Sequence, residues 1–557
     1  MSGKQIHRFD NIKLQRRLSD GFWDAALQHG VHDLVVDRGG ARFTVTGLEQ
    51  ECLNMSAYSY LGLDENQEIV DGALEALEKA RALNSSLSRV RIRLQMLDAV
   101  EDALGDLFNA DVGTVSSCAA GAWSMLPLIA SGLMTGGKPP LMVFDQYAHF
   151  CLRGLKAVCA DETQVKTIRH NNLEALEELC RKHAPVAYVA DSVYSTGESA
   201  APIEGLLDLQ ARYELILFFD DAHGTSVVGK NGVGPVLDRM GVINDKTVVV
   251  TSLNKGFGAS GGAIFYGPRG GRTMRNHVLR SGGPFMWSQR LNTAALGAIT
   301  ASIDIHRSPE LPLLQDQLVK NVQEFDSSGL AADSANTWPV RFIRIGDEQQ
   351  TIDASKRLLE RGFYVEPDFF PVVARGHAGL RVRIRANMGT EDLARFTEAA
   401  REVLSAQAVW GRDRLPEDDG KGEVVDEELT WCDGACHCEN VRFRVALTKR
   451  LTVTVCNCGI CHKSGHQELL VPDSRFELVS GLEFLKEYRF GDRIADHTFC
   501  VVCGVMPFYR PKSRPVGYRS VNARCISLEF ADDVEWVEFD GQNWQASMDA
   551  GMYQVTE

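Results

Sequence analysis

The chain has 557 residues, of which 44% are apolar and 24% charged, with a formal net charge of −15. It is too long for a single core and suits about three or four domains of an ordinary globular protein. The acidic balance argues against a nucleic-acid or anionic-membrane binder as a whole, since neither polyanion attracts it.

Residues 1–23 mix Lys, Arg, Asp and Gln and lack the apolar core of a signal peptide. The longest apolar stretch, around Ser124 to Met134, is too short to span a bilayer and contains a proline. A cytoplasmic protein is expected. After an N-terminal segment (1–53), the sequence from about Asn54 to Gly267 alternates short β-branched or aromatic runs with amphipathic stretches. Strands are predicted at Leu141 to Phe144, Val186 to Ala190, Leu215 to Phe219, Thr247 to Thr251 and Ala263 to Tyr266, and helices at Leu173 to His183 and Ile203 to Tyr213. This is the pattern of an α/β domain with a mostly parallel sheet, whose ligand groups collect at the carboxyl ends of the strands. Asp145, Asp191 and Asp220 each stand at such an end.

Lys255 lies in Thr251-Ser-Leu-Asn-Lys-Gly-Phe-Gly258, behind one strand and downstream of Asp220-Asp-Ala-His223-Gly. A lysine amine for a Schiff base, together with an aspartate ending a buried strand, is what pyridoxal phosphate needs: the carboxylate pairs with the pyridine nitrogen and keeps it protonated. The run Gly229-Lys-Asn-Gly-Val-Gly234 is not read as a nucleotide fingerprint, because it follows a His-Gly turn and leads into Pro235. Arg89, Arg91 and Arg93 alternate and read as a solvated face in preference to a phosphate contact.

From about Ala294 a long helical stretch leads into a smaller α+β region closing near Gln407. Within it, Arg381, Arg383 and Arg385 share one face of a strand, which on pattern alone reads as a charged solvent-facing edge. Residues 408–428 are polar and acidic and read as a linker. Of 14 cysteines, nine fall between Cys432 and Cys525. In a reducing compartment, Cys436-His-Cys438, Cys456-Asn-Cys458-Gly-Ile-Cys461 and Cys500-Val-Val-Cys503 read as zinc ligation, with Cys432 and Cys525 as ordinary buried thiols.

Several of these segments coincide with family motifs: Asn54 to Leu63 with Tyr60-Leu-Gly-Leu, Asp145-Gln-Tyr-Ala-His149, His170-Asn-Asn, Val193 to Glu198, and Asp220 to Gly224. On these, residues from roughly 50 to 405 resemble the α-oxoamine synthase family of fold-type I pyridoxal-phosphate enzymes. The resemblance implies a large domain (54–293) with a mostly parallel sheet and a small α+β subdomain (294–407). It further implies that His149 stacks on the cofactor ring, Asp220 bonds its nitrogen, His223 its phenolic oxygen, and Lys255 its aldehyde carbon. Ser117, Cys118, Ser195 and Ser252 fall to cofactor binding, with Ser252 on the phosphate. Arg381 and Tyr60 fall to the amino-acid substrate. The implied reaction condenses an amino acid with an acyl thioester, with decarboxylation, to an α-amino ketone, in a homodimer. A carbon–carbon lyase or carbon-alkylating enzyme would share every cofactor residue, and a non-catalytic partner subunit is opposed by the presence of Lys255.

The cysteine-rich tail (429–557) resembles the glutathione-dependent formaldehyde-activating family, a small β-rich zinc fold. There the first and last pairs imply a closed zinc site of Cys436, Cys438, Cys500 and Cys503. The triplet Cys456, Cys458 and Cys461 implies a second zinc with an open position. The module is read as a zinc-stabilised docking domain, with a second catalytic centre as the competing reading.

Overall fold

The computed structural model describes residues 11–407 and 429–547, apart from residues 49, 85–87, 196–198, 271, 332–335, 371, 374–376, 473–474, 491–494, 513–517, 529, 532 and 545–546. The expected linker and Thr196, Gly197 and Glu198 of the Val193 turn lie outside the described residues. Two compact units form, Met1–Gly411 and Arg412–Glu557.

In the first unit seven strands form one mixed sheet, in the order Ala110–Val115, Gly262–Pro268, Thr247–Ser252, Leu215–Asp220, Val186–Asp191, Leu141–Asp145 and Val165–Ile168. The last five pair in parallel. Such strands are near-continuous apolar runs because helices cover both faces, and Leu215–Asp220 is buried along its whole length. Alternate residues feed two cores: Leu215, Leu217 and Phe219 one, Ile216 and Phe218 the other. The strand predicted at Ala263 to Tyr266 is present but runs antiparallel to Thr247–Ser252. The connection from Ser252 to Gly262 is too short for the crossover a parallel neighbour requires.

Helices Gln67–Ala80 and Thr293–Arg307 cross closely at two glycines; a Cβ on Gly297 would lie 2.1 Å from the carbonyl oxygen of Gly72. Beyond that crossing, Ala378–Arg383 forms the centre of a three-stranded antiparallel sheet, between Val340–Gly346 and Glu366–Asp368. The solvent-facing edge reading of this arginine strand is thereby overturned: Arg381, Arg383 and Arg385 are all buried. The N-terminal segment is not separate from this region. Arg42–Thr44 and Glu51–Asn54 form a sheet with Phe363–Tyr364. Leu53, Met55 and Tyr60 share an apolar cluster with Val340, Leu380 and Phe396.

Arg89 also departs from the solvated reading. It is buried, donates to the carbonyl of Thr114 at 2.8 Å, pairs with Glu101 and lies 4.0 Å over the Phe285 ring. Arg93 pairs with Asp98 at 2.5 Å.

The second unit is β-rich. A three-stranded sheet (Thr430–Ala435, Arg442–Leu447, Phe476–Ser480) accompanies a seven-stranded one that includes Arg450–Cys456, Asp496–Cys500 and Asp533–Phe539. Among the described residues, no helix is long and apolar enough to cross a membrane.

Candidate functional site

Asp220 ends the central parallel strand in register with Asp191 on one neighbour and Val250 on the other. Both of its carboxylate oxygens face thiols: Cys118 Sγ donates to Oδ1 at 3.3 Å, Cys151 Sγ to Oδ2 at 3.4 Å. The backbone N–H of Ala222 donates to Oδ1 at 3.0 Å. Burial and the adjacent Asp220 push the Asp191 carboxyl well above the carboxylate range, and Asp191 accepts the backbone N–H of His149 at 3.1 Å. Asp221 points away from Asp220, held by Ser192 and by Thr225 at 3.1 Å, and burial raises it to about 8. Asp145 organises a third group, with Tyr188 and His170 at 2.9 and 3.0 Å.

Lys255 is carried by the turn that follows Thr247–Ser252. Gly258, at φ 74°, closes this turn against Leu63, whose Cβ would lie 2.3 Å from an added Cβ. Phe257 anchors the turn, its carbonyl accepting Ser302 Oγ at 2.6 Å and its ring stacking on buried His306 at 4.4 Å. The amine Nζ thus sits 2.8 Å from His223 Nε2, and the Tyr60 hydroxyl lies 2.5 Å from His223 Nδ1. Burial lowers Lys255 from 10.5. Burial, reinforced by Lys255, keeps His223 well below 6.5, and burial raises Tyr60 to about 12.

Ser117 caps helix Cys118–Ala130 by accepting the N–H of Ala120 at 3.1 Å. Gly262, which pairs with Ser252 across the sheet, lies against this helix start; a Cβ there would be 2.7 Å from the backbone nitrogen of Cys118. Ser117, Cys118 and Ser252 are therefore brought together around a helix N-terminus, the arrangement that suits a phosphate. The Cys118 thiol turns towards Asp220. Ser195 is placed near Arg381, its carbonyl accepting from Nη1 at 3.2 Å.

Arg381 does not present an open fork. Glu366 and Asp368 on the adjacent strand engage its Nη2 at 3.2 and 3.0 Å, and Glu366 also pairs with Arg383 at 2.8 Å. Burial pushes Asp368 up to about 7 against the pull of Arg381. The sequence reading missed Glu366, Asp368 and Cys151. Two acids inside Val365-Glu-Pro-Asp-Phe-Phe370, and a thiol two residues beyond His149, were the available signals. Tyr58, also missed, lies with its ring centroid 5.7 Å from the Lys255 amine.

In the second unit the thiols converge as two groups, Cys436/Cys438/Cys500/Cys503 and Cys456/Cys458/Cys461, each with its sulfurs within 4.8 Å of one another. Measured Sγ separations of 3.5 Å (Cys436–Cys438) and 3.6 Å (Cys438–Cys500) approach the edge of about 3.8 Å of a tetrahedron with zinc–sulfur bonds of about 2.3 Å. The donor set fits zinc. In the triplet, hydrogen bonds from Cys456 and Cys461 hold Cys458 far below the usual thiol range. Cys432 is buried and Cys525 half-buried, both outside these groups.

The family model for aminotransferase class I and II matches residues 50–399, and that for glutathione-dependent formaldehyde-activating enzyme matches residues 431–535. An 8-amino-7-oxononanoate synthase of Alkaliphilus oremlandii is 27% identical over 371 residues, spanning 64% of this chain and 88% of the relative. The mitochondrial 2-amino-3-ketobutyrate coenzyme A ligase of Bos taurus is 24% identical over 389 residues, spanning 66% and 87%. Among solved structures, Sphingomonas wittichii serine palmitoyltransferase superposes with a TM-score of 0.61 at 20% identity, over 71% of this chain and 98% of that one.

Proposed function

Since the chain belongs to the class I and II aminotransferase family and ends in a domain of the glutathione-dependent formaldehyde-activating type, we propose that it is a pyridoxal-phosphate-dependent α-oxoamine synthase. It condenses an amino acid with an acyl thioester, coenzyme A-bound or carrier-bound, and releases the free thiol and CO2 to give an α-amino ketone. Relatives named as oxononanoate synthase and ketobutyrate ligase support this class of reaction. The observation that carries the reading is the convergence of Lys255, His223 and Tyr60 beside the strand that ends in Asp220.

The residues fit pyridoxal phosphate. Asp220 offers a buried carboxylate for the ring nitrogen, Lys255 an amine for the aldehyde, His149 a flat face, and His223 a donor for the phenolic oxygen. The helix start at Ser117 and Cys118, with Ser252, offers donors for the phosphate. When bound, the cofactor supplies a carbonyl that captures amines and an electron-poor ring that accepts the electron pair of a bond broken at the α-carbon.

The chain's own groups do the rest. Lys255, its pKa lowered by burial, is a base when neutral and takes the α-proton of the bound amino acid at Nζ. His223 receives no proton from water at neutral pH, because burial keeps its ring uncharged. It orients Nζ through Nε2 while Tyr60 fixes the ring through Nδ1. Arg381 binds the substrate carboxylate after Glu366 yields part of its hold.

In the C-terminal domain, Cys436, Cys438, Cys500 and Cys503 hold a closed structural zinc, and Cys456, Cys458 and Cys461 hold a second with an open position. This domain acts as a docking module. The protein works as a cytoplasmic homodimer in a biosynthetic step. The test is to incubate purified protein with amino acids, with and without acyl thioesters, measuring CO2 release and product mass. Turnover independent of a thioester would reject the synthase reading in favour of a lyase.

A further inference from the structure

Cys151 has no part in the chemistry above, yet its sulfur lies 3.0 Å from His149 Nδ1 and 3.4 Å from Asp220 Oδ2. These three ligand atoms lie within 4.8 Å of one another. We propose that His149, Cys151 and Asp220 form a zinc-class metal site that competes with the cofactor, filled by a thiophilic divalent cation when pyridoxal phosphate is absent. The competition rests on the cofactor position proposed above; the metal site itself does not.

The chemistry of the set favours zinc. An imidazole, a thiolate and a carboxylate are its three protein ligand types, and a tetrahedral ion at about 2.0–2.3 Å from each separates neighbouring ligand atoms by about 3.5 Å. The observed sulfur–oxygen spacing already meets this, and the nitrogen–sulfur spacing needs an opening of about half an ångström. The backbone N–H of Cys151 donates to His149 Nδ1 at 3.3 Å, which marks that nitrogen as the unprotonated one, and the ion takes over this lone pair on binding. Cys118 Sγ and the Ala222 N–H both hold Oδ1 of Asp220, so Oδ2 stays directed at the ion. His149 is exposed and Cys151 half-buried, which leaves a path from solvent, and water completes the coordination. Binding replaces the S–H proton of Cys151, which passes to solvent, with a metal–sulfur bond. The nearby Lys255 amine is shifted by burial towards its uncharged form, which weakens its repulsion of the cation. With an ion on Asp220 Oδ2 and His149, neither residue can serve the cofactor ring, so the two occupants exclude each other.

The experiment uses full-length protein, stripped of cofactor with hydroxylamine or loaded with pyridoxal phosphate, and Co2+ and Zn2+ as probes. The stripped protein is expected to bind one more equivalent than the loaded protein, with a sulfur-to-cobalt absorption band that pyridoxal phosphate abolishes. Cys151→Ser should weaken that extra equivalent at least tenfold while keeping the ions of the cysteine-rich domain, which also reports that the chain is folded. Asp220→Asn should lose it as well. Equal metal content in stripped and loaded protein, or an extra equivalent retained in Cys151→Ser, overturns the site. Metal that binds but does not slow cofactor uptake overturns the competition alone.

Discussion

His223 lies between Lys255 and Tyr60, its Nε2 2.8 Å from the lysine amine and its Nδ1 2.5 Å from the phenol. The chain of three ties the lysine amine to a residue almost two hundred positions away in sequence and engages both ring nitrogens, one donating and the other accepting. Borohydride reduction of the loaded protein is therefore expected to attach a pyridoxyl group to the peptide carrying Lys255. Lys255→Ala should give no such label and lose activity by at least about 100-fold, the usual scale for removing a positioned base.

Tyr60→Phe removes the phenol and leaves His223 Nδ1 buried without that partner. Activity is expected to fall about tenfold, on the scale of one lost hydrogen bond to a buried group, with cofactor retained. The measurement is kcat and KM together with cofactor content; an unchanged kcat would show that the phenol does not position the imidazole.

Glu366 pairs at 3.2 Å with Arg381, the residue proposed to take the substrate carboxylate. Glu366→Gln keeps the volume and removes the competing charge. The expected outcome is a KM for the amino acid several-fold lower with kcat little changed, read by initial rates at saturating thioester. A raised KM would mean that Glu366 shapes the arginine for its substrate.

His306 Nδ1 donates to the Ser302 carbonyl (2.7 Å), so in the neutral ring Nε2 accepts from Ser226 Oγ (2.8 Å), and burial lowers its pKa from 6.5 to about 4. Because the folded state disfavours its protonation, the unfolded chain binds the proton first. The contribution of neutral His306 is then whole above 6.5 and drains away as pH falls towards 4, amounting to about 3 kcal/mol over the full shift. Thermal denaturation between pH 7 and 5 should show the wild-type chain losing stability more steeply than His306→Gln.

The two thiol groups predict two zinc ions per chain. Elemental analysis of Cys436→Ser should show one ion lost and the β-rich domain melting at lower temperature, and Cys458→Ser should show the other lost. Full synthase activity in Cys458→Ser would leave the second ion without a part in that reaction.

Much of the large domain was legible because a buried parallel strand announces itself as an unbroken apolar run, and because Asp220 closes one such run and Lys255 follows the next, where a polar residue is conspicuous. The orientation of Gly262–Pro268 was not, since an apolar run carries no direction and only the length of the preceding turn decides it. The arginine strand misled for a related reason. Alternating Arg381, Arg383 and Arg385 look solvated until Glu366 and Asp368 are known to be cross-strand neighbours, and pairing between segments is a property of the fold that local pattern does not encode. The thiols on Asp220 were hidden likewise: Cys118 and Cys151 come from separate segments and meet only after the sheet and its covering helices assemble. The cysteine pairs and triplet of the tail stand out because their thiols recur at short, fixed spacings, but spacing does not say that Cys436 and Cys438 meet Cys500 and Cys503, which lie some sixty residues further along.

Asp220 shares its side of the central strand with Ile216 and Phe218, and it is this parity that aims the carboxylate at Cys118 and Cys151. A single inserted or deleted residue between Leu215 and Asp220 would rotate that acid to the opposite surface of the sheet, into a layer of leucines, while the loops around it would absorb the same change unnoticed. Length variation compatible with catalysis is accordingly confined to the connections.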